Sequence, residues 1–128
     1  MSEGVLYLVG TPIGNLGDMS PRAVEAIKEC GLLACEDTRK ASAILNKFGI
    51  ENKKMFVYED SRESRVAPVL LETLKGGGKV ALISDAGMPC ISDPGFRLVR
   101  MFRRENIDIV PVPGPSAFTA ALSASGLP

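Results

Sequence analysis

The sequence contains no histidine and no tryptophan. Without histidine there is no imidazole base, no Ser-His-Asp triad, and most zinc sites are excluded. Aromatic residues make up only 5% of the chain, so a platform for stacking bases is not suggested. There is no charge excess either: 15 lysines and arginines face 15 aspartates and glutamates. Overall charge therefore gives no argument for nucleic acid, and an RNA contact would need a local basic patch or a second domain. The three cysteines, Cys30, Cys35 and Cys90, match no metal-ligand spacing. An odd number in apolar surroundings reads as reduced core thiols, and no metal is expected. No basic stretch precedes an apolar one at the start, where Glu3 and Gly4 interrupt, so no secretory signal is read. The longest uncharged run, Val110 to Pro128, holds Pro111, Pro113, Gly114 and Pro115 and cannot be one membrane helix. The expected location is the cytoplasm, with no membrane partner.

What is present suits one globular domain: 128 residues, 45% hydrophobic and 23% charged. Short apolar runs alternate with helical patterns. Val5–Val9, Leu32–Cys35, Met55–Tyr58, Val80–Ile83 and Ile109–Val112 read as strands. Ser20 offers an N-cap with Pro21 behind it, and Ala23, Val24 and Ile27 form the apolar stripe of a first helix that Gly31 should stop. Arg39–Phe48 reads as a second helix, with Ala43, Ile44 and Phe48 on one side. A third, capped by Ser61 or Ser64, runs to Lys75 and buries Val69, Leu70 and Leu74. Phe96–Glu105 and Ser116–Ser125 complete the set, and Gly126-Leu127-Pro128 reads as a domain edge. All-apolar strands in strand–helix units predict an α/β fold: an open, mostly parallel five-stranded sheet with helices on both faces and right-handed crossovers.

In such a sheet ligands bind at the carboxyl ends of the strands. Three loops there are unusual. Gly10-Thr11-Pro12-Ile13-Gly14-Asn15-Leu16-Gly17-Asp18 is glycine-rich but is neither a dinucleotide fingerprint nor a P-loop. Ser84 to Gly95 is twelve residues long, and connections of that length are usually functional. Its Asp85 and Asp93 supply acceptors for an ammonium or ribose hydroxyls, or serve as turn formers. Pro113-Gly114-Pro115-Ser116-Ala117 leads into a helix whose first amides can meet an anion or a ring acceptor.

Together, Val9–Asp18, Glu36-Asp37-Thr38-Arg39, Ser84–Gly95 and Val112–Ala117 resemble the tetrapyrrole (corrin and porphyrin) methylase family. The second and third motifs resemble the branch that methylates small-subunit ribosomal RNA. The resemblance covers the whole chain. It implies S-adenosylmethionine (SAM) as cofactor, held between two domains. Residues 1–128 then correspond to the N-terminal domain, with the second lying outside this chain. It also implies a homodimer, small-subunit ribosomal RNA as substrate, and methylation of a cytidine 2′-hydroxyl. By motif position Pro12 falls in the first cofactor loop. Asp85, Ala86 and Gly87 replace the family's Gly-Asp-Pro contact, with Ile91 in the same wall. Ser116 and Ala117 fall beside the adenosine.

Methyl transfer needs donor and acceptor positioned and the acceptor's proton removed. With no histidine, carboxylates are the candidates. Asp37 ranks first as base or substrate orienter, with Glu36 and Thr38 beside it and Arg39 able to hold a phosphate bidentately. Asp37 as the cap of the following helix is the structural alternative. Arg97, Arg100, Arg103 and Arg104 read either as RNA-phosphate contacts or as a solvated helix face. Rival functions are methylation of a tetrapyrrole or other small molecule, and a non-catalytic binding or dimerisation module.

Overall fold

The computed structural model describes residues 4–59, 61–91 and 94–128. Five strands, β1 (Val5–Val9), β2 (Leu32–Cys35), β3 (Lys54–Val57), β4 (Lys79–Leu82) and β5 (Asp108–Val112), form one sheet in the order β3-β2-β4-β1-β5. Every pairing is parallel. Five α-helices alternate with them: α1 (Pro21–Glu29), α2 (Thr38–Lys47), α3 (Glu63–Lys75), α4 (Phe96–Arg104) and α5 (Ala117–Ala124). The expected strand–helix alternation is present, with boundaries shifted by a residue. None of these helices is long and apolar enough to cross a membrane.

The sheet separates two cores. On one side Val9, Leu33, Cys35, Ala81 and Ile83 pack against Ala23 and Ile27 of α1 and Ile44 and Leu45 of α2. On the other, Leu6, Ala34, Val80 and Leu82 meet Leu70 and Leu74 of α3 and Leu98 and Phe102 of α4. The period of two in β4 is plain here, with Val80 and Leu82 facing one core and Ala81 and Ile83 the other. Crossovers of a single hand require this division, because the chain moves toward the β3 edge through α1 and α2 and back through α3 and α4.

Local chemistry sets the helix starts. Ser20 accepts from the Ala23 amide at 3.0 Å, with Pro21 in the first helical position. Four sequence readings need correction. Gly31 does not cap α1: Cys30 is already extended, and the Gly31 amide donates to the Lys79 carbonyl, so the chain enters the sheet directly. Neither Ser61 nor Ser64 caps α3. Arg62 holds that position without a side-chain bond, and the Glu63 carboxylate stands at the positive end of the helix instead. On α3 the expected Leu70 and Leu74 are buried, together with Val66 and Ala67, but Val69 is exposed. In α2, Ala41, Ile44 and Leu45 are buried and Ala43 is turned outward.

α5 differs from the other four. It is the most apolar of the helices, yet none of its side chains is buried; Phe118 is 79% exposed.

Candidate functional site

The crossovers diverge on either side of β4, and at such points an open parallel sheet leaves a crevice outside the strand ends. The loops that follow β1, β4 and β5 meet there. Gly10 and Gly114 lie so close that a Cβ on Gly10 would come within 2.6 Å of the Gly114 Cα and N. Thr11 and Gly87 exchange both backbone hydrogen bonds, at 3.1 and 3.0 Å. Thr11 is fully buried, and its hydroxyl reaches the Ser84 and Gly87 carbonyls at 3.4 Å. The Ser84 hydroxyl donates to the Ala86 carbonyl at 3.0 Å and closes the turn from inside. Gly87 has φ +75°, a left-handed backbone that favours glycine, and lies beside the Pro115 carbonyl and Ile13. Backbone therefore packs on backbone at this junction and holds the three loops together at the strand ends.

The second part of the site is a cleft of about 730 Å³ beside the ends of β2, β3 and β4. Glu36, Asp37, Thr38 and Arg39 all line it, with Asp85 and Pro94 on one side and Glu59 and Arg62 on the other. The Asp37 carboxylate caps α2, accepting from the Arg39 amide at 2.8 Å, and pairs with the Arg39 guanidinium at 3.4 Å. Those bonds, the backbone one first, hold its carboxyl below the usual carboxylate range. The capping alternative is thus realised, and Asp37 is ionised and already engaged. Apart from that pairing, the Arg39 side chain is 91% exposed. Glu36 ties the two parts together by accepting from the Asp85 amide at 2.6 Å. The Asp85 carboxylate in turn sits 3.5 Å from the Lys40 ammonium.

The expected residues thus fall into three places. Glu36 through Arg39 share the cleft, and Asp85 belongs to both cleft and loop junction. Ala86 and Ile91 line a smaller hollow of about 280 Å³ with Glu36 and Cys90, and Ile91 is 84% exposed to solvent. Pro12 is buried beside the junction, while Ser116 caps α5 by accepting from the Thr119 amide at 3.3 Å, with Ala117 exposed behind it. Asp93 and Ser92 lie outside the described residues. Among the described residues no cluster of potential metal ligands occurs.

Residues 5–128 match the family model of the Tetrapyrrole (Corrin/Porphyrin) Methylases. This chain belongs to that family. Curated relatives of this tetrapyrrole methylase chain include ribosomal RNA small subunit methyltransferase I of Escherichia coli O157:H7. That protein is 50% identical over 127 residues, 99% of this chain and 44% of the relative. The protein of the same name from Pseudomonas aeruginosa is 51% identical over 128 residues, all of this chain and 45% of the relative. The chain thus spans less than half the length of these relatives. Among solved structures, diphthine synthase superposes with a TM-score of 0.73 at 22% identity, over 98% of this chain and 50% of that one. Uroporphyrin-III-C-methyltransferase from Thermus thermophilus gives 0.71 at 22%, over 98% and 54%. At that identity the likeness establishes the tetrapyrrole methylase fold alone.

The candidate site also takes in residues that the sequence did not single out. Thr11 was legible, since a hydroxyl between glycine and proline just past a buried strand has few partners but backbone. Lys40, Glu59 and Arg62 carried no local signal. They reach the cleft only because parallel pairing puts the ends of β2, β3 and β4 side by side.

Proposed function

We propose that this chain is the cofactor-holding, N-terminal domain of a SAM-dependent methyltransferase that modifies small-subunit ribosomal RNA, at a cytidine 2′-hydroxyl. The observation that carries the cofactor reading is the junction of the three loops, where Gly10 packs on Gly114 backbone to backbone and Thr11 pairs with Gly87, so that the loops after β1, β4 and β5 are held together at the strand ends. The residues fit the cofactor. Gly87 and Ala86 offer backbone at close approach, and Asp85 offers a carboxylate to an ammonium or ribose hydroxyl. Pro12 and Ile91 give apolar walls, and Ser116 and Ala117 place a helix start beside a ring acceptor. When bound, the cofactor's sulfonium supplies an electrophilic methyl group. The names of the half-identical relatives support RNA as the acceptor.

The cleft residues orient that acceptor. Asp37, held ionised by Arg39, is poorly matched to a general base, whose pKa should lie near the working pH. It acts as the acceptor that fixes the ribose hydroxyl, with Thr38 beside it, while Arg39 holds a phosphate through its planar fork. Glu36 is a positioning residue, because its bond to the Asp85 amide couples the cleft to the cofactor loop. A second domain over α5 accounts for an apolar helix with Phe118 and Leu122 exposed. The chain's share of its relatives' length supports the same reading. A homodimer of the full protein and a cytoplasmic site of action accompany it.

The test of the cofactor site is calorimetric titration with SAM, with its demethylated product, and with ATP as an adenosine-bearing control. The first two should bind and ATP should not. Equal binding of all three would reduce the site to a generic adenosine pocket, and no binding of SAM would remove the reading.

A further inference from the structure

The arginines of α4 are not accounted for by the fold. Leu98 and Phe102 bury that helix against the sheet, and Arg97, Arg100, Arg103 and Arg104 are all exposed. At about 100° per residue, Arg97, Arg100 and Arg104 fall within an arc of roughly 60° on the side away from the core. With Met101 and Glu105 they line a groove of about 430 Å³. None of the four forms an ion pair among the described residues. Like charges three and four apart repel along a helix. The helix dipole favours Arg103 and Arg104 in the last turn but disfavours Arg97 in the first, where no acidic residue stands. Arg97 lies instead over the Phe96 ring, 5.9 Å from its centre.

The position of the row is the second observation. α4 begins two residues after Pro94, which lines the cleft. A separate depression of about 240 Å³ lies between α3 and α4, bordered by Glu63, Ser64, Arg97 and Met101. Arg62 stands at the cleft rim. The cleft itself carries Glu36, Asp37, Glu59 and Asp85, and Glu63 borders the depression, so the unpaired basic groups begin at Arg97 and run along α4, about 13 Å at 1.5 Å per residue. The chain as a whole has no net charge, so this face is a local concentration.

We infer that the Arg97–Arg100–Arg104 face of α4 binds the phosphate backbone of the single-stranded RNA that flanks the nucleotide in the cleft. The inference rests on the proposed RNA methyltransferase function. The scarcity of aromatic residues means that the contact positions the strand and does not read its bases.

The test uses the natural full-length protein and a triple variant, Arg97→Gln/Arg100→Gln/Arg104→Gln. A matched control, Arg22→Gln/Lys28→Gln/Lys47→Gln, removes the same charge from exposed positions on α1 and α2. Affinity for small-subunit RNA is measured from low to high salt, alongside SAM affinity and methyl transfer. Each phosphate contact on a single strand contributes about 0.7 to the salt slope, so the α4 variant should be shallower by about 2, with SAM affinity unchanged. The control should keep the parent slope. Equal losses in both triples would mean bulk charge alone and overturn the inference. So would an unchanged slope. If the parent itself transfers no methyl group to the RNA, the functional reading fails; if it does and the α4 slope is unchanged, only this inference fails.

Discussion

Gly10→Ala tests whether the meeting of the loops builds the cofactor site. The added methyl would lie 2.6 Å from the Gly114 Cα and N and 2.9 Å from the Met88 sulfur. Ordinary contacts begin at 3.4 Å, so the β1 and β5 loops must part by about 0.8 Å. The obstruction is backbone and cannot rotate aside. Overpacking of this kind costs about 1–3 kcal/mol. For a domain of this size that lowers Tm by roughly 4–12 °C. Binding should suffer separately, because the loops that part are two of the three proposed to hold the cofactor. A tenfold loss of SAM affinity corresponds to about 1.4 kcal/mol, and at least that is expected. Gly31→Ala is the control: no atom lies within 4 Å of its Cβ, and its φ is not left-handed. It should keep affinity and hold or slightly raise Tm, since alanine restricts the unfolded chain. The assays are calorimetric titration and thermal unfolding. A Gly10→Ala protein with the parent's affinity and Tm would refute the packing argument.

Asp85→Ala should weaken SAM binding more than it lowers Tm, because the loop keeps its Thr11–Gly87 bonds; unfolding instead would make Asp85 a structural turn residue. Asp37→Asn in the full-length protein should lower methyl transfer and leave SAM affinity nearly unchanged, with the same pH profile above about pH 5, where a free carboxylate is already ionised. A shift of that profile would restore Asp37 as the base. Burial pushes the Cys30, Cys35 and Cys90 thiols up to about 11 from the usual 9.0. The unfolded chain thus holds fewer protons between those values, and stability should fall as pH rises through that window. Tyr58, raised by burial as well, acts in the same direction. Denaturant unfolding at pH 8 and 10 checks this, and a cysteine-free variant with an equal drop would clear the thiols.

The alternation of strands and helices was legible because apolar runs such as Val5–Val9 and capped stripes such as Ser20–Ile27 carry their own periodicity. The loop junction was legible in part, since glycine clusters mark where backbone approaches backbone. The strand order was not, for nothing local says that β4 lies between β2 and β1. Hence Glu36 could be named as a site residue while its bond to the Asp85 amide, across 49 residues of sequence, could not. On α3, Leu70 and Leu74 were legible but Val69 was not, because it is as apolar as its neighbours and only the sheet decides which way the helix rolls.

The proposed function is that of the full-length protein carrying this domain: transfer of a methyl group from SAM to ribosomal RNA. Its most direct test is single-turnover transfer of labelled methyl to small ribosomal subunits by the natural full-length protein, with the modified nucleoside identified by mass spectrometry. The account predicts 2′-O-methylcytidine at one position. A methylated base would contradict the ribose assignment, and no transfer to RNA, with transfer to a tetrapyrrole instead, would contradict the account itself.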